Sequence, residues 1–438
     1  MSLAPIDLFK GWPATHLLPI NRFKEAATKK LSDKSILEEA FGYGPDEGHF
    51  PLRQNIAKWL SDFYAPAQPI EAERICITGG ASQNLASILQ VFTDPLRTER
   101  IWLPVPTYHL VYRIFEDSGF HGRMGGVPED ESGMDVDALE EALERFESSH
   151  ANESSSGHYT AKPHMEYRKI YTHVIYCVPS FSNPSGTVMS IKRRESLVRI
   201  ARKYNALIIS DDVYDFLCWT PGSSTGTIGE SLKRFVDIDR TLDNGPHDRF
   251  GNAVSNGSFS KLIGPGCRVG WAEGTASFVY GLSQAGQTRS GGAPSQLMST
   301  FINELLESGF VQQYVTTELI PQGRRRYTTM SSAVSEFLVP LGVTFSPDHE
   351  KGAMAGGYYI WLNLSEPLTA AEICQNAEKT QNLVVGSGDI FIVPGCLAPG
   401  SVHRGLRLCF MWEDSERLVE GVKRLAVVIK AVQDGGHV

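Results

Sequence analysis

Ser258-Phe259-Ser260-Lys261-Leu262-Ile263-Gly264-Pro265-Gly266-Cys267-Arg268-Val269-Gly270-Trp271 is the stretch on which the reading of this chain turns. Two hydroxyls precede a lysine, and a Gly-Pro-Gly turn and an arginine follow it. That order suits a lysine forming a Schiff base with an aldehyde, while the hydroxyls of Ser258 and Ser260 and the guanidinium of Arg268 hold a phosphate on the same molecule. Ser-x-Ser-Lys by itself is more often a solvated lysine beside a turn. The reading therefore depends on what the rest of the chain brings to Lys261.

Outward from this stretch the sequence alternates. Short apolar runs at 75–78, 100–103, 174–178, 207–210 and 253–258 are separated mostly by longer amphipathic stretches, among them 82–92, 136–146 and 191–203. Such alternation predicts an α/β fold: a mostly parallel central sheet flanked by helices, with right-handed crossovers. Upstream, 22–41 reads as one helix and 51–63 as another, with Leu52, Ile56, Trp59, Leu60 and Phe63 on a single face. Polar inserts at 147–169 and 239–251 read as surface loops, the first expected to be mobile. From about 319 onward, helices and the apolar strands 357–362 and 406–410 predict a smaller α+β domain. The expected division is a large domain at 46–318 and a small one made of 1–45 and 319–438.

In such a sheet ligands lie at the carboxyl ends of the strands, and there the polar residues collect. After 75–78 comes Gly79-Gly80-Ala81-Ser82-Gln83, where small residues and a helix start would present amides to a phosphate; a plain turn is the alternative. After 100–103 comes Pro106-Thr107-Tyr108, whose ring could stack on a flat cofactor or sit in the core. After 174–178 comes the turn Asn183-Pro184-Ser185-Gly186, with an amide able to donate to a phenolate oxygen. After 207–210 come Asp211, Asp212 and Tyr214. A carboxylate at the end of a buried strand needs a partner, which a protonated ring nitrogen, a helix cap or a salt bridge would each supply.

Together these motifs resemble the class I/II aminotransferases of the fold-type I pyridoxal-phosphate enzymes, over about residues 11–426. Asn183-Pro-Ser-Gly, Asp211-x-x-Tyr214 and Ser258-x-Ser-Lys261-x-x-x-Pro-Gly-x-Arg268 occur in the family's order and near its spacing. Gly42-Tyr43-Gly44 with Gly48, Leu52 and Arg53 resembles another family segment, and 406–410 resembles the strand whose arginine binds a substrate α-carboxylate.

The resemblance implies the roles. Lys261 would hold pyridoxal 5'-phosphate and then move the proton between Cα and C4′; Asp211 would keep the ring nitrogen protonated, and Asp212 is its rival. Asn183 and Tyr214 would hold the ring oxygen, Tyr108 would stack on the ring, and Ser258, Ser260, Arg268, Gly80, Ala81 and Ser82 would hold the phosphate. Arg407 would clamp the substrate carboxylate with its planar fork, near Asn183, Gly11 and Trp12. Tyr43 would reach the phosphate of the partner in a homodimer with shared sites.

The implied activity is an aminotransferase moving an amino group between an amino acid and a 2-oxo acid by a ping-pong cycle through pyridoxamine phosphate. Residues 288–293 and the N-terminal segment look most like the 2-aminoadipate and aromatic branch, with glutamate also among the favoured substrates. Arg289 would then be a candidate for a distal carboxylate, a structural salt bridge being the alternative. Trp12 stands where many relatives carry a small residue, which bears on pocket shape. A pyridoxal-phosphate lyase, decarboxylase or carbon–carbon bond-forming enzyme on the same fold is the competing reading.

Composition narrows the classes further. The 438 residues exceed what one core usually supports, and 42% hydrophobic with 21% charged is ordinary for a globular chain. A net charge of −9 argues against a nucleic-acid or anionic-membrane partner. Cys76, Cys177, Cys218, Cys267, Cys374, Cys396 and Cys409 form no C-x-x-C pair, so neither a zinc site nor a disulfide framework is expected. No run is long and apolar enough for a bilayer span, and the N-terminal residues resemble no export signal. A cytoplasmic location with no metal is the expectation.

Overall fold

A computed structural model describes residues 3–150, 160–220, 233–345 and 354–435. One eight-stranded sheet is made of β1 (Ile75–Thr78), β2 (Arg100–Val105), β3 (Met124–Asp130), β4 (Gly133–Met134), β5 (His173–Cys177), β6 (Ala206–Asp211), β7 (Ala253–Ser258) and β8 (Gly270–Glu273), and the five predicted apolar runs become its strands β1, β2, β5, β6 and β7. Their spatial order is β1-β8-β7-β6-β5-β2-β3-β4. The pairs from β3 to β7 are parallel; β8 runs antiparallel between β1 and β7, and β4 antiparallel at the far edge.

Helices α1 (Ile20–Ser32), α2 (Lys34–Phe41), α3 (Phe50–Tyr64), α4 (Ala81–Phe92), α5 (Val136–His150), α6 (Ile191–Lys203) and α7 (Phe235–Thr241) precede β7 in the chain. Every residue of β5, β6 and β7 is buried, as expected of strands covered on both faces. Alternate residues serve opposite faces. Val174, Leu207 and Ile209 join one core cluster with Leu85 and Ile88 of α4. Ile175 and Ile208 join another with Leu139 and Leu143 of α5 and Leu197 and Val198 of α6.

Two expectations change, and part of a third falls on residues that are not described. The single helix at 22–41 is two, because the Asp33 carboxylate accepts from Ser35 N at 3.0 Å and caps a fresh start. The loop at 239–251 begins inside α7, where buried Asp239 accepts from Arg202 Nε and Nη2 at 3.0 and 2.9 Å. Such a paired carboxylate can be buried where a lone one could not. The middle of the polar insert, 151–159, lies outside the described residues.

After β8 come α8 (Gln296–Glu307), α9 (Ile320–Phe337) and α10 (Ser415–Gln433), the last two packed together. A three-stranded antiparallel sheet is ordered β9 (Tyr359–Asn363), β11 (Gly405–Cys409), β10 (Gly386–Ser387). Ile6–Asp7 pairs in parallel with Leu383–Val384, and Asp7 N donates to Glu413 Oε1 at 2.9 Å. The N-terminal segment is thereby anchored beside β11 before it crosses to the carboxyl edge of the large sheet. Among the described residues no helix is long and apolar enough to cross a membrane.

Candidate active site

The direction of β8 assembles the lysine end of the site. Gly270 at its start is in register with both Thr78 and Ser258. The loop from Ser258 to Gly270 therefore begins and ends at the carboxyl edge, beside the start of α4. Ser258 opens the turn Phe259–Lys261: its Oγ accepts from Ser260 N at 3.1 Å and donates to Ser260 Oγ at 2.8 Å. Lys261 Nζ donates to Gly11 O at 2.6 Å. Loss of water lowers its pKa to about 8, with the Arg407 charge pushing the same way and Cys409 and Asp211 opposing.

Asp211 ends β6 in register with Asn256 of β7. Its Oδ2 accepts from Tyr176 OH at 2.7 Å, while Oδ1 is buried without a partner. Burial raises its pKa to about 6, against the Tyr176 hydrogen bond and the Lys261 charge. A half-satisfied buried carboxylate is costly, and a protonated ring nitrogen would complete it. Asp212 points elsewhere: its two oxygens accept from the hydroxyls of Ser210 and Ser255. Successive residues of a strand face opposite sides, which separates the two aspartates that the sequence left as rivals.

Gly80, Ala81 and Ser82 form the start of α4, which no side chain caps. Its first amides and the positive end of its dipole are open to an anion. Gly80 has φ +98°, and a Cβ there would stand 2.4 Å from Arg268 Nη2. Arg268 donates to Gly79 O at 2.6 Å and Pro265 O at 2.9 Å, which fixes it beside the helix start. Asn84 Nδ2 donates to Asn256 Oδ1 at 2.8 Å, and Asn256 Nδ2 to Ala81 O at 3.1 Å, tying α4 to β7.

Arg407 on β11 forms the opposite wall. It is 3% exposed; Nη1 donates to Asn183 Oδ1 at 2.7 Å and Nη2 to Phe9 O at 2.6 Å, while buried Nε has no partner. The rings of Tyr359, Phe9 and Phe391 surround the guanidinium at 4.2, 4.6 and 5.0 Å. Such faces stabilise a cation in a dry place. Tyr214 OH donates to Tyr359 OH at 3.3 Å, beside Asn183. Tyr108 follows buried Thr107, whose amide donates to Phe391 O at 3.0 Å. Burial raises the Tyr108 phenol and lowers neighbouring His109 to about 4, so both are neutral near pH 7.

Three predicted residues make their contacts elsewhere in the chain. Tyr43 is 91% exposed. Arg289 is ion-paired with Asp46 on the surface. Trp12 is exposed and edge-on to Trp412, with the Lys10 ammonium over both indoles, so Gly11 and not Trp12 meets Lys261. Conversely Tyr176, Phe9, Tyr359 and Phe391 belong to the site without having been singled out in the sequence. Tyr176 and Tyr359 lie in strand-like runs, where an aromatic reads as core.

The partnerless Asp211 oxygen, the uncapped glycine cradle with Arg268, and the low-pKa amine of Lys261 fit the ring nitrogen, phosphate and aldehyde of pyridoxal phosphate. Comparison with known proteins agrees. Residues 14–421 match the family described as aminotransferase class I and II. An uncharacterized protein of Saccharomyces cerevisiae is 34% identical over 411 residues, 90% of each chain. Aromatic-amino-acid aminotransferase 1 of Thermococcus litoralis is 28% identical over 431 residues, 97% of this chain and 88% of that one. Among solved structures, alpha-aminoadipate aminotransferase of Thermus thermophilus, complexed with N-(5'-phosphopyridoxyl)-L-leucine, is similar with a TM-score of 0.75 and 26% identity. That match covers 98% of this chain and 93% of the other.

Proposed function

The chain belongs to the class I and II aminotransferases, and from that premise we propose how its residues divide the work and which substrates they take. It is a fold-type I, pyridoxal-phosphate-dependent aminotransferase, acting on an amino acid and a 2-oxo acid. The relatives' names do not favour the lyase alternative. Bound pyridoxal phosphate would supply an aldehyde carbon that takes up the amino group of one substrate and passes it to the other, on a ring that withdraws electrons.

In this reading Asp211 Oδ1 holds the proton on the ring nitrogen, with Tyr176 keeping the carboxylate in place. Lys261 Nζ moves the proton at the substrate Cα, and its lowered pKa keeps a useful fraction of amine neutral near pH 7. Ser258, Ser260, Arg268 and the amides of Gly80, Ala81 and Ser82 hold the phosphate. Tyr108 covers one ring face, and Asn183 and Tyr214 hold the ring oxygen. The aromatic surround of Arg407 excludes water and aims its fork at the α-carboxylate.

The observation that carries this most directly is the unpartnered Oδ1 of Asp211, buried beside a lysine whose amine is also short of solvent. The substrates favoured are 2-aminoadipate, glutamate and aromatic amino acids, in line with the names of two relatives. Titrating the holoenzyme with a panel of amino acids and following the cofactor's absorbance tests both reaction and donor.

The same reading includes a homodimer that completes each site. Supporting it are the exposed Ile20, Phe41, Tyr43 and Phe50, an apolar set that a solitary protomer would leave in water. Tyr43 would reach the partner's phosphate, and Arg289 would exchange Asp46 for a substrate's distal carboxylate there. The separate β9–β11 sheet supports the division into 46–318 and the remaining segments. A cytoplasmic location is in keeping with seven free cysteines.

A further inference from the structure

The ring of Tyr359 lines Arg407, but its hydroxyl has no task in the scheme above, and it stands where the cofactor side and the carboxylate side of the site meet. It accepts from Tyr214 OH at 3.3 Å and from Asn183 Nδ2 at 3.5 Å. Its ring lies 4.2 Å from the Arg407 guanidinium. From a third side comes Gly11, where a Cβ would fall 2.1 Å from the hydroxyl. A side chain at this point of the segment whose carbonyl receives Lys261 would therefore displace the Tyr359 hydroxyl.

A phenol offers two lone pairs and one proton. Tyr214 and Asn183 occupy the acceptor side, and no contact among the described residues takes the proton. Burial raises the phenol's pKa, so the proton stays on at neutral pH. A buried O–H without an acceptor is costly, and the arrangement makes sense if a ligand atom supplies one.

We infer that Tyr359 is a further cofactor-contacting residue: with cofactor bound, Tyr214 turns its one proton from Tyr359 to the ring oxygen, the Tyr359 hydroxyl donates to that oxygen beside Tyr214 and Asn183, and its ring links the oxygen to Arg407. This rests on the reading of Asn183 and Tyr214 given above. The titratable and charged groups facing the point are Arg407 and Cys409 of β11, Lys261, Asp211, and the phenols of Tyr108, Tyr214 and Tyr358. Burial keeps the thiol and the phenols neutral. Charge at the point therefore comes from Arg407, Lys261 and Asp211, and a lost hydrogen bond from Tyr359 registers against that fixed background.

The test reads the absorbance of the bound cofactor against pH in holoenzyme variants. A donor favours the ionised ring oxygen. Removing it in Tyr359→Phe should raise the midpoint of the absorbance transition by about one pH unit, a tenfold change in proton affinity. Tyr358→Phe, whose hydroxyl instead donates to Lys261 O at 3.4 Å, should leave the midpoint in place. Gly11→Ala, which pushes the Tyr359 hydroxyl away from a different element, should move it upward and serves if Tyr359→Phe does not fold. A still midpoint in the Tyr359→Phe or Gly11→Ala protein, or equal shifts in Tyr359→Phe and Tyr358→Phe, overturns the inference. Tyr214→Phe separates the two levels. If it moves the midpoint and Tyr359→Phe does not, only the role of Tyr359 falls; if it leaves the midpoint still, the ring-oxygen assignment falls as well.

Discussion

Arg407 Nη1 lies 2.7 Å from Asn183 Oδ1, so the guanidinium of β11 and the amide that follows β5 are joined by one hydrogen bond across the mouth of the site. Nη2 is engaged by Phe9 O. A lysine could keep the charge but not the fork. Arg407→Lys should lower kcat/KM about a hundredfold, in line with ~1.5–3 kcal/mol for a hydrogen bond to a charged group. Steady-state kinetics with the best donor checks this, with cofactor content as a control.

Asp211→Asn should reduce turnover far more than Asp212→Asn. The first removes the charge that balances a ring nitrogen; the second changes a carboxylate already engaged by Ser210 and Ser255. Single-turnover rates of the two variants decide it, and equal losses would count against Asp211.

Lys261 should take up aldehyde with a pH dependence set by its own depressed pKa. The neutral amine is the nucleophile, so reaction is slow below about 8 and levels off above it. An ordinary lysine would keep gaining to about 10.4. Mixing apoenzyme with pyridoxal phosphate should show uptake rising roughly fivefold from pH 7 to 8, the change in neutral fraction expected for that pKa. Borohydride reduction and peptide mapping should label Lys261, and Lys261→Ala should abolish turnover while keeping the fold.

Sedimentation at working concentration should show a dimer. Tyr43→Phe should then weaken cofactor retention by about tenfold, the effect of losing one ~1.4 kcal/mol contact, without dissociating it. A fully active monomer would exclude shared sites.

Arg289→Ala, measured with one dicarboxylic and one aromatic donor, should lose kcat/KM selectively for the dicarboxylic one, by roughly tenfold. Parallel changes would leave Arg289–Asp46 as a structural pair.

Much of the architecture could be read from the chain because the central strands are covered on both faces and so appear as unbroken apolar runs. β3 could not: Met124-Gly125-Gly126-Val127-Pro128 carries glycines and a proline that read as a turn and persist only near the sheet's edge. β8 is four residues long and ends in Glu273, whose burial is explained by Arg234 Nη1 at 2.6 Å, a residue distant in sequence. Site residues that carry charge or follow a strand were legible because their chemistry is costly to place without a purpose. Tyr176, Phe9, Tyr359 and Phe391 were not, because an aromatic in an apolar run has an ordinary use in packing. Only the meeting of segments far apart in sequence gives these four another.

The reversed course of β8 has a consequence for what this chain can tolerate. Its pairing with β1 and β7 pins both ends of the Lys261–Arg268 loop to one rim, so the span between amine and guanidinium acts as a gauge whose length the ladder sets. Extra residues there would have to bulge outward, leaving the gauge unchanged or breaking the ladder. Divergence in what the protein accepts should therefore accumulate away from this loop, while the grip on the phosphate stays constant.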